Sequence, residues 1–340
     1  MKRYNELSKD EVEHALELHR EAIVVDCSVA MKMEDGYFER AREGGITAHN
    51  HTVTDPRENM PEAVKTIGAF HRWVKQREDR GLIALATEDI RRAKSEGKVA
   101  FILGPQNAKF LEDDPGLVHA FHRLGIRILQ LTYQYRNQIG DGCGERTDAG
   151  LSKFGLDIVD EMNSVGMLID LSHVGPATTR DAMEASRDPV VFSHSHPRAL
   201  KDHVRNKTDE QLHALAEKGG VIGITEYSPI CEIRRGVRPD VDDYLRHVDY
   251  VADLIGVDHV GVGLDIDERS TPERWGAFAS AYPELSGGYD FVGKRAKDLD
   301  WITKTPNITK GLVGRGYSDA EILKILGGNF LRVFERVWRG

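Results

Sequence analysis

His173 closes the run MLIDLSH and His194 closes PVVFSH, two apolar runs that follow one another in the chain. Imidazoles at the ends of consecutive strands can reach the same point, and two neutral imidazoles are half of a zinc or iron site. The same two rings can also cap strand ends through hydrogen bonds with no ion between them. Asp265 closes HVGVGLD, where a carboxylate can serve as general base, proton shuttle, metal ligand or backbone cap. Arg205, in HVRNKTDE just beyond the second run, carries the planar fork that grips a carboxylate; a loop arginine taken alone reads as solvated surface. Gln106 and Tyr133 end two further apolar runs, VAFILGPQ and IRILQLTY. His49 and His51 form HNH, and a period of two places both rings on one face. Turned inward they would be ligands, substrate donors or an acid/base pair; turned outward they pack under helices. We take them as candidates for substrate binding. His196 and His203 read as loop or supporting residues. His14, His19, His71, His119, His122, His213 and His247 fall in helical stretches and are expected to face solvent.

Such groups need a frame that brings distant strand ends together. Eight short apolar runs, at 22–27, 45–53, 99–106, 126–133, 167–173, 189–194, 220–227 and 259–265, alternate with charged stretches of helical period. Near-continuous apolarity indicates strands buried on both faces, joined by helices such as 152–165 and 176–186. Eight such units predict an α/β fold, a TIM-type (β/α)8 barrel whose active site lies at the C-terminal strand ends. The expected organisation is one domain over 1–340, with a helical extension over 1–21 and closing helices over 318–340. Long loops at 134–150 and 268–301 are expected to cover the mouth or make a subunit contact.

Composition narrows the function classes. The 340 residues include 46 Lys plus Arg against 55 Asp plus Glu, a formal charge of −9, which argues against nucleic-acid or anionic-membrane partners. The three cysteines, Cys27, Cys143 and Cys231, are odd in number, far apart and without a CxxC spacing, so neither a disulfide framework nor a cysteine zinc site is expected. A charged N-terminal stretch without an apolar signal, and no run of membrane-spanning length, predict a cytoplasmic protein.

The segments GLSKFGLDIVDEMNSVGMLIDLSHVG, DPVVFSHSHPRALKDHVRNKTDE, GGVIGIT and HVGVGLD, with the closing ILKILGGNFLRVFERV, resemble in order and spacing the membrane (renal) dipeptidases, metal-dependent barrels related to the amidohydrolases. The resemblance runs from about Ala22 to the end. It implies a site of two zinc ions bridged by a glutamate, one ion held by a His-x-Asp pair on the first strand and the other by histidines at the DLSH and FSH ends. On that pattern His173 and His194 match the second ion's ligands, Arg205 the arginine on the substrate carboxylate, and Asp265 the proton-shuttling acid. The rest departs from it. Where the family reads Asp-Gly-His-Asn-Asp, this chain reads Asp26-Cys27-Ser28-Val29-Ala30; Gln106 stands at the bridging glutamate and Tyr133 at a substrate-contacting histidine. A neutral amide cannot supply the charge that holds two dications together, and a methyl ligates nothing. One zinc is therefore expected rather than two, on His173, His194 and Gln106, with a metal-free site as the alternative.

The leading expectation is a dipeptidase-like hydrolase acting on a small dipeptide or amino-acid derivative that bears a carboxylate, with Asp265 and Tyr133 catalytic and the protein a candidate homodimer. The competing readings are a metal-light or metal-free lyase, isomerase or hydrolase acting on a small amino acid or betaine-like compound, and a non-catalytic ligand-binding relative.

Overall fold

The structure, a computed structural model, describes residues 1–339. The closing stretch expected over 318–340 therefore has its last residue outside the described ones. Among the described residues ten strands occur: β1 (Val24–Ala30), β2 (Ile46–His51), β3 (Gly81–Ile83), β4 (Val99–Leu103), β5 (Ile128–Gln130), β6 (Leu168–Asp170), β7 (Val191–Ser195), β8 (Val221–Ile224), β9 (Val260–Val262) and β10 (Ile266–Asp267). All pairings between them are parallel, in the order β3-β4-β2-β1-β9-β8-β7-β6-β5 with β10 on β1.

The ends of that order meet. Leu103 bridges Ile126, Arg127 N–H donates to the Leu103 carbonyl at 3.1 Å, and Gln130 N–H donates to the Pro105 carbonyl at 3.1 Å. The sheet thus closes into the TIM-type barrel, and each of the eight apolar runs contributes one of its staves. The two additional strands, β3 and β10, lie outside the eight runs. β3 pairs with the lower half of β4 on the edge that β5 takes higher up; β10 likewise continues on β1 the edge begun by β9.

Inward side chains Val25, Ala48, Ala100, Ile128, Leu168, Val191 and Val221 fill the barrel floor. There they meet Phe330, Val333, Phe334 and Val337 of the helix Asn329–Val337. Phe330 and Phe334, one turn apart, present one apolar face that plugs the bottom. Gly261 leaves room for this plug, since a Cβ there would stand 2.6 Å from the Phe330 ring. The expected N-terminal helix spans Lys9–Glu21, capped by Ser8 and Glu11. The crossover helices form as Lys153–Val165 and Pro176–Ala185. The loop 268–301 carries two short helices, Pro272–Ala281 and Pro283–Ser286. It meets the loop 134–150 where the Tyr135 hydroxyl donates to Glu284 at 3.1 Å and stands against the Tyr282 ring. No helix among the described residues is long and apolar enough to cross a membrane.

Candidate active site

The C-terminal strand ends bring His173, His194, Asp265, Gln106, Ser28, Tyr133 and Arg205 into one mouth. Nε2 of His173 and Nε2 of His194 face each other at 2.9 Å, and Oδ2 of Asp265 lies 4.0 Å from the latter. A hydrogen-bond chain orients the second imidazole. The Ser193 hydroxyl donates to Asp170 Oδ2 at 2.5 Å, and the Ser172 hydroxyl donates to Asp170 Oδ1 at 2.6 Å. With its proton committed, Ser193 Oγ accepts from His194 Nδ1 at 2.7 Å, which leaves the lone pair of His194 on Nε2, aimed into the mouth. The other imidazole is held by stacking: the Tyr133 ring lies 4.3 Å from that of His173 at 30°. Burial, reinforced by the nearby Arg205 guanidinium, lowers the pKa of both rings, that of His194 to about 3 and that of His173 well below the ordinary imidazole range. Both are neutral at physiological pH, the state a metal ligand requires.

Asp265 reaches the mouth through local backbone conformation. It sits between β9 and β10 with φ +61°, in the left-handed region that Asp tolerates better than most residues. Its N–H donates to the Ser28 carbonyl at 2.8 Å. Ser28 in turn is aimed inward by a register shift in β1, where the three-residue step Asp26 to Val29 opposes the two-residue step His49 to His51. The Ser28 hydroxyl and the Gln106 amide donate to Asp265 Oδ1 at 3.0 and 3.3 Å. Burial still prevails over these contacts and over Arg205, pushing the Asp265 carboxyl up to about 6. Burial also raises the Tyr133 hydroxyl, so it remains a proton donor at neutral pH. Two glycines allow β7 to carry His194 this far inward: a Cβ on Gly223 or Gly263 would strike the Ser193 carbonyl at 2.1 or 1.9 Å.

Arg205 is buried, and its two terminal nitrogens donate to the main-chain carbonyls of Ser172 and His194, the latter at 3.2 Å. Two of its five N–H groups thereby tie the ends of β6 and β7 together. Lys207, also buried, donates to the Leu171 carbonyl at 2.8 Å, and burial followed by Arg205 brings its pKa down to about 7.

Several expectations need correction. His49 and His51 do not enter the mouth. Ala48 and the strand's Asn50, whose amide donates to the Cys27 carbonyl, take the inner face of β2, so alternation turns both histidines outward. His49 lies against Tyr37, with Nδ1 3.5 Å from Asp26, and His51 lies 4.7 Å from the Phe70 ring. Gln106 reaches the mouth as expected, where its amide nitrogen donates to Ser28, Thr52 and Asp265. His19 and His247 are buried rather than solvent-facing. Asp170, Ser172, Ser193 and Thr52 were not singled out from sequence. The repeated Ser-His ending of DLSH and FSH was the available signal for two of them.

Two imidazole nitrogens and a nearby carboxylate are the donor types of a single catalytic zinc with two histidines and one acid. The first-strand positions offer only the Ser28 hydroxyl and the Ala30 methyl, which do not suit a dication.

The membrane dipeptidase (Peptidase family M19) model matches residues 13–285 and 281–339. Dipeptidase verJ of Clonostachys rogersoniana is 30% identical over 293 residues, covering 85% of this chain and 69% of that protein. Dipeptidase tcpJ of Claviceps purpurea is 31% identical over 281 residues, 82% of this chain but only 60% of that longer protein. Among solved structures, an amidohydrolase from Pseudomonas aeruginosa superposes with a TM-score of 0.88 at 35% identity, covering 95% of this chain and 99% of its own. The match extends over the whole barrel and includes the DLSH and FSH strand ends, so the chain belongs to the membrane dipeptidase family of metal-dependent hydrolases.

Proposed function

We propose that the protein hydrolyses the amide bond of a small dipeptide, or of an amino-acid derivative with a free carboxylate, at a site that holds one metal ion. The observation that carries this reading is the pair of Nε2 atoms 2.9 Å apart with the Asp265 carboxylate 4.0 Å from one of them. His173 and His194 would hold the ion, with Asp265 the neighbouring carboxylate, and zinc there supplies the Lewis acid that polarises the substrate carbonyl. Asp265 takes the proton of the attacking water and returns it to the leaving amine nitrogen, and a carboxyl titrating near 6 suits both directions of transfer at neutral pH. Ser28 and Gln106 hold that carboxyl in place. Arg205 supplies the positive charge for the substrate carboxylate, using N–H groups left over from its two carbonyl contacts. The Tyr133 hydroxyl donates to the bound substrate. The Ser28, Ala30 and Gln106 replacements support one ion rather than two.

The test is hydrolysis of a panel of dipeptides and N-acyl amino acids by protein stripped with a chelator and reloaded with Zn2+. The expected result is activity lost on stripping and restored on reloading. The direct Nε2–Nε2 contact also fits a proton shared between the imidazoles, a metal-free reading; turnover that is indifferent to chelation would select it.

A further inference from the structure

Three side chains that the hydrolytic site does not use meet behind it. His196 lies one residue past β7, Cys231 ends the short helix Ser228–Cys231 that follows β8, and His247 lies within the helix Val241–Ile255. Their donor atoms all lie within 4.8 Å of one another. The two imidazoles have ring centroids 4.0 Å apart at 51°, and all three residues are 0% exposed. Nδ1 of His247 lacks a hydrogen-bond partner, and neither ring nitrogen of His196 makes a well-formed one, although a Thr225 backbone group approaches that ring. A buried polar atom left unpaired costs about 1–3 kcal/mol, so one lone pair from each ring, beside a thiol, calls for something that satisfies them together. The other nitrogen of His247, Nε2, stands 2.9 Å from the Cys231 carbonyl oxygen and donates to it. That contact leaves the His247 lone pair on Nδ1, and a ring N–H held by a main-chain carbonyl is the outer support that ligating histidines carry. Burial keeps the Cys231 thiol protonated when no ion is bound, reinforced by the negative charge of buried Asp243, which also compensates a cation.

We propose that His196, Cys231 and His247 bind a zinc-class dication at a second, structural metal site. One nitrogen from each ring and the Cys231 sulfur supply three ligands of a tetrahedron, with zinc to nitrogen about 2.0–2.1 Å and zinc to sulfur about 2.3 Å, and water takes the fourth position. On binding, the thiol releases its proton to solvent, the sulfur lone pair forms the metal bond, and no group is oxidised or reduced. The ion would join three elements that chain connectivity leaves separate: the segment after β7, the connection after β8 and the helix Val241–Ile255. His196 is two residues from His194, so this site stiffens the support of the hydrolytic one without contributing to it. The sequence hides it, because the ligands are 35 and 16 residues apart and no short spacing motif links them.

Cobalt(II) is the probe, because a cobalt–thiolate bond gives a near-ultraviolet charge-transfer band that nitrogen and oxygen ligands do not. Full-length protein stripped of metal is titrated with Co2+. The expected result is a charge-transfer band in wild type and in the double variant Cys27→Ser/Cys143→Ser, saturating at one equivalent per chain in His194→Ala, where the hydrolytic site is disabled, and absent in Cys231→Ser. Wild-type protein that takes up cobalt, or excess cobalt, without the band would overturn the proposal. So would a band that survives Cys231→Ser or vanishes in Cys27→Ser/Cys143→Ser. Should Cys231→Ser fail to fold, the double variant decides alone, since Cys231 is then its only cysteine. The readout does not depend on hydrolysis, so an inactive protein that shows the band supports this site by itself.

Discussion

Two pairs of buried histidines sit on the barrel staves and share little beyond burial. His49 and His51 lie within β2 and face the helical layer, against Tyr37 and Phe70. His173 and His194 lie at the upper ends of β6 and β7, face the mouth and point their Nε2 atoms at each other. Burial lowers the pKa of His51 and of His194 alike, each to about 3. A displaced pKa is a useful pointer to functional sites, yet here it marks a packing histidine and a candidate ligand equally. The face of the pleat and the position along the strand separate them.

The largest effect that would sharpen this contrast is expected from His194→Ala. It should lower kcat/KM for dipeptide hydrolysis by about 10³-fold or more, roughly 4 kcal/mol of transition-state stabilisation, whereas His51→Ala should leave kcat/KM within about twofold. Equal losses in the two variants would erase the distinction. Next comes Asp265→Asn, for which steady-state assays should show a drop of about 10²- to 10⁴-fold. The wild-type pH profile should rise as Asp265 ionises and becomes the base, and the variant should lack that limb. The stability sign runs the other way. A carboxyl whose pKa is raised on folding contributes stability below its unfolded value of about 4, and that contribution is lost as pH climbs through about 6.

Ser193→Ala removes the hydroxyl that links His194 to Asp170. It should weaken zinc affinity by about 10- to 100-fold, measured by competition with a chromophoric chelator. The smallest effects belong to the outer pair. His51→Ala should cost about 2 kcal/mol in urea unfolding through the space left beside Phe70. Wild-type stability should also fall as pH drops from about 6.5, where the unfolded imidazole takes a proton, towards about 3, where the native ring does. His51→Leu should flatten that acid slope, and an unchanged slope would place the titration elsewhere.

The eight staves were legible because each lies within a longer apolar, β-branched run bounded by polar stretches. β3 and β10, three and two residues long, fall outside those eight runs and were not anticipated. His173, His194, Arg205 and Asp265 were legible as strand-end or near-strand groups within recognisable segments. The orientation of HNH was not: alternation shows that His49 and His51 share a face without saying which. The answer depended on Ala48 and Asn50 pointing inward, and barrel closure set that. Gln106 was located correctly at the mouth, but its hydrogen bonds depend on Ser28, Thr52 and Asp265 arriving from three other segments. His247 read as solvent-facing because it falls in a helical stretch, while in the fold its ring meets His196 and Cys231.

The sequence by itself determined the alternation of strands and helices, the resemblance to the dipeptidase barrels, and the absence of suitable first-strand ligands, because these reside in local pattern and residue chemistry. Tertiary structure decided what converges. The shift in β1 that aims Ser28, the left-handed turn that aims Asp265, the close approach at Gly223 and Gly263, and the meeting of His196, Cys231 and His247 all join residues far apart in the chain. Their separations are set by how the barrel closes and packs, and no local period records them.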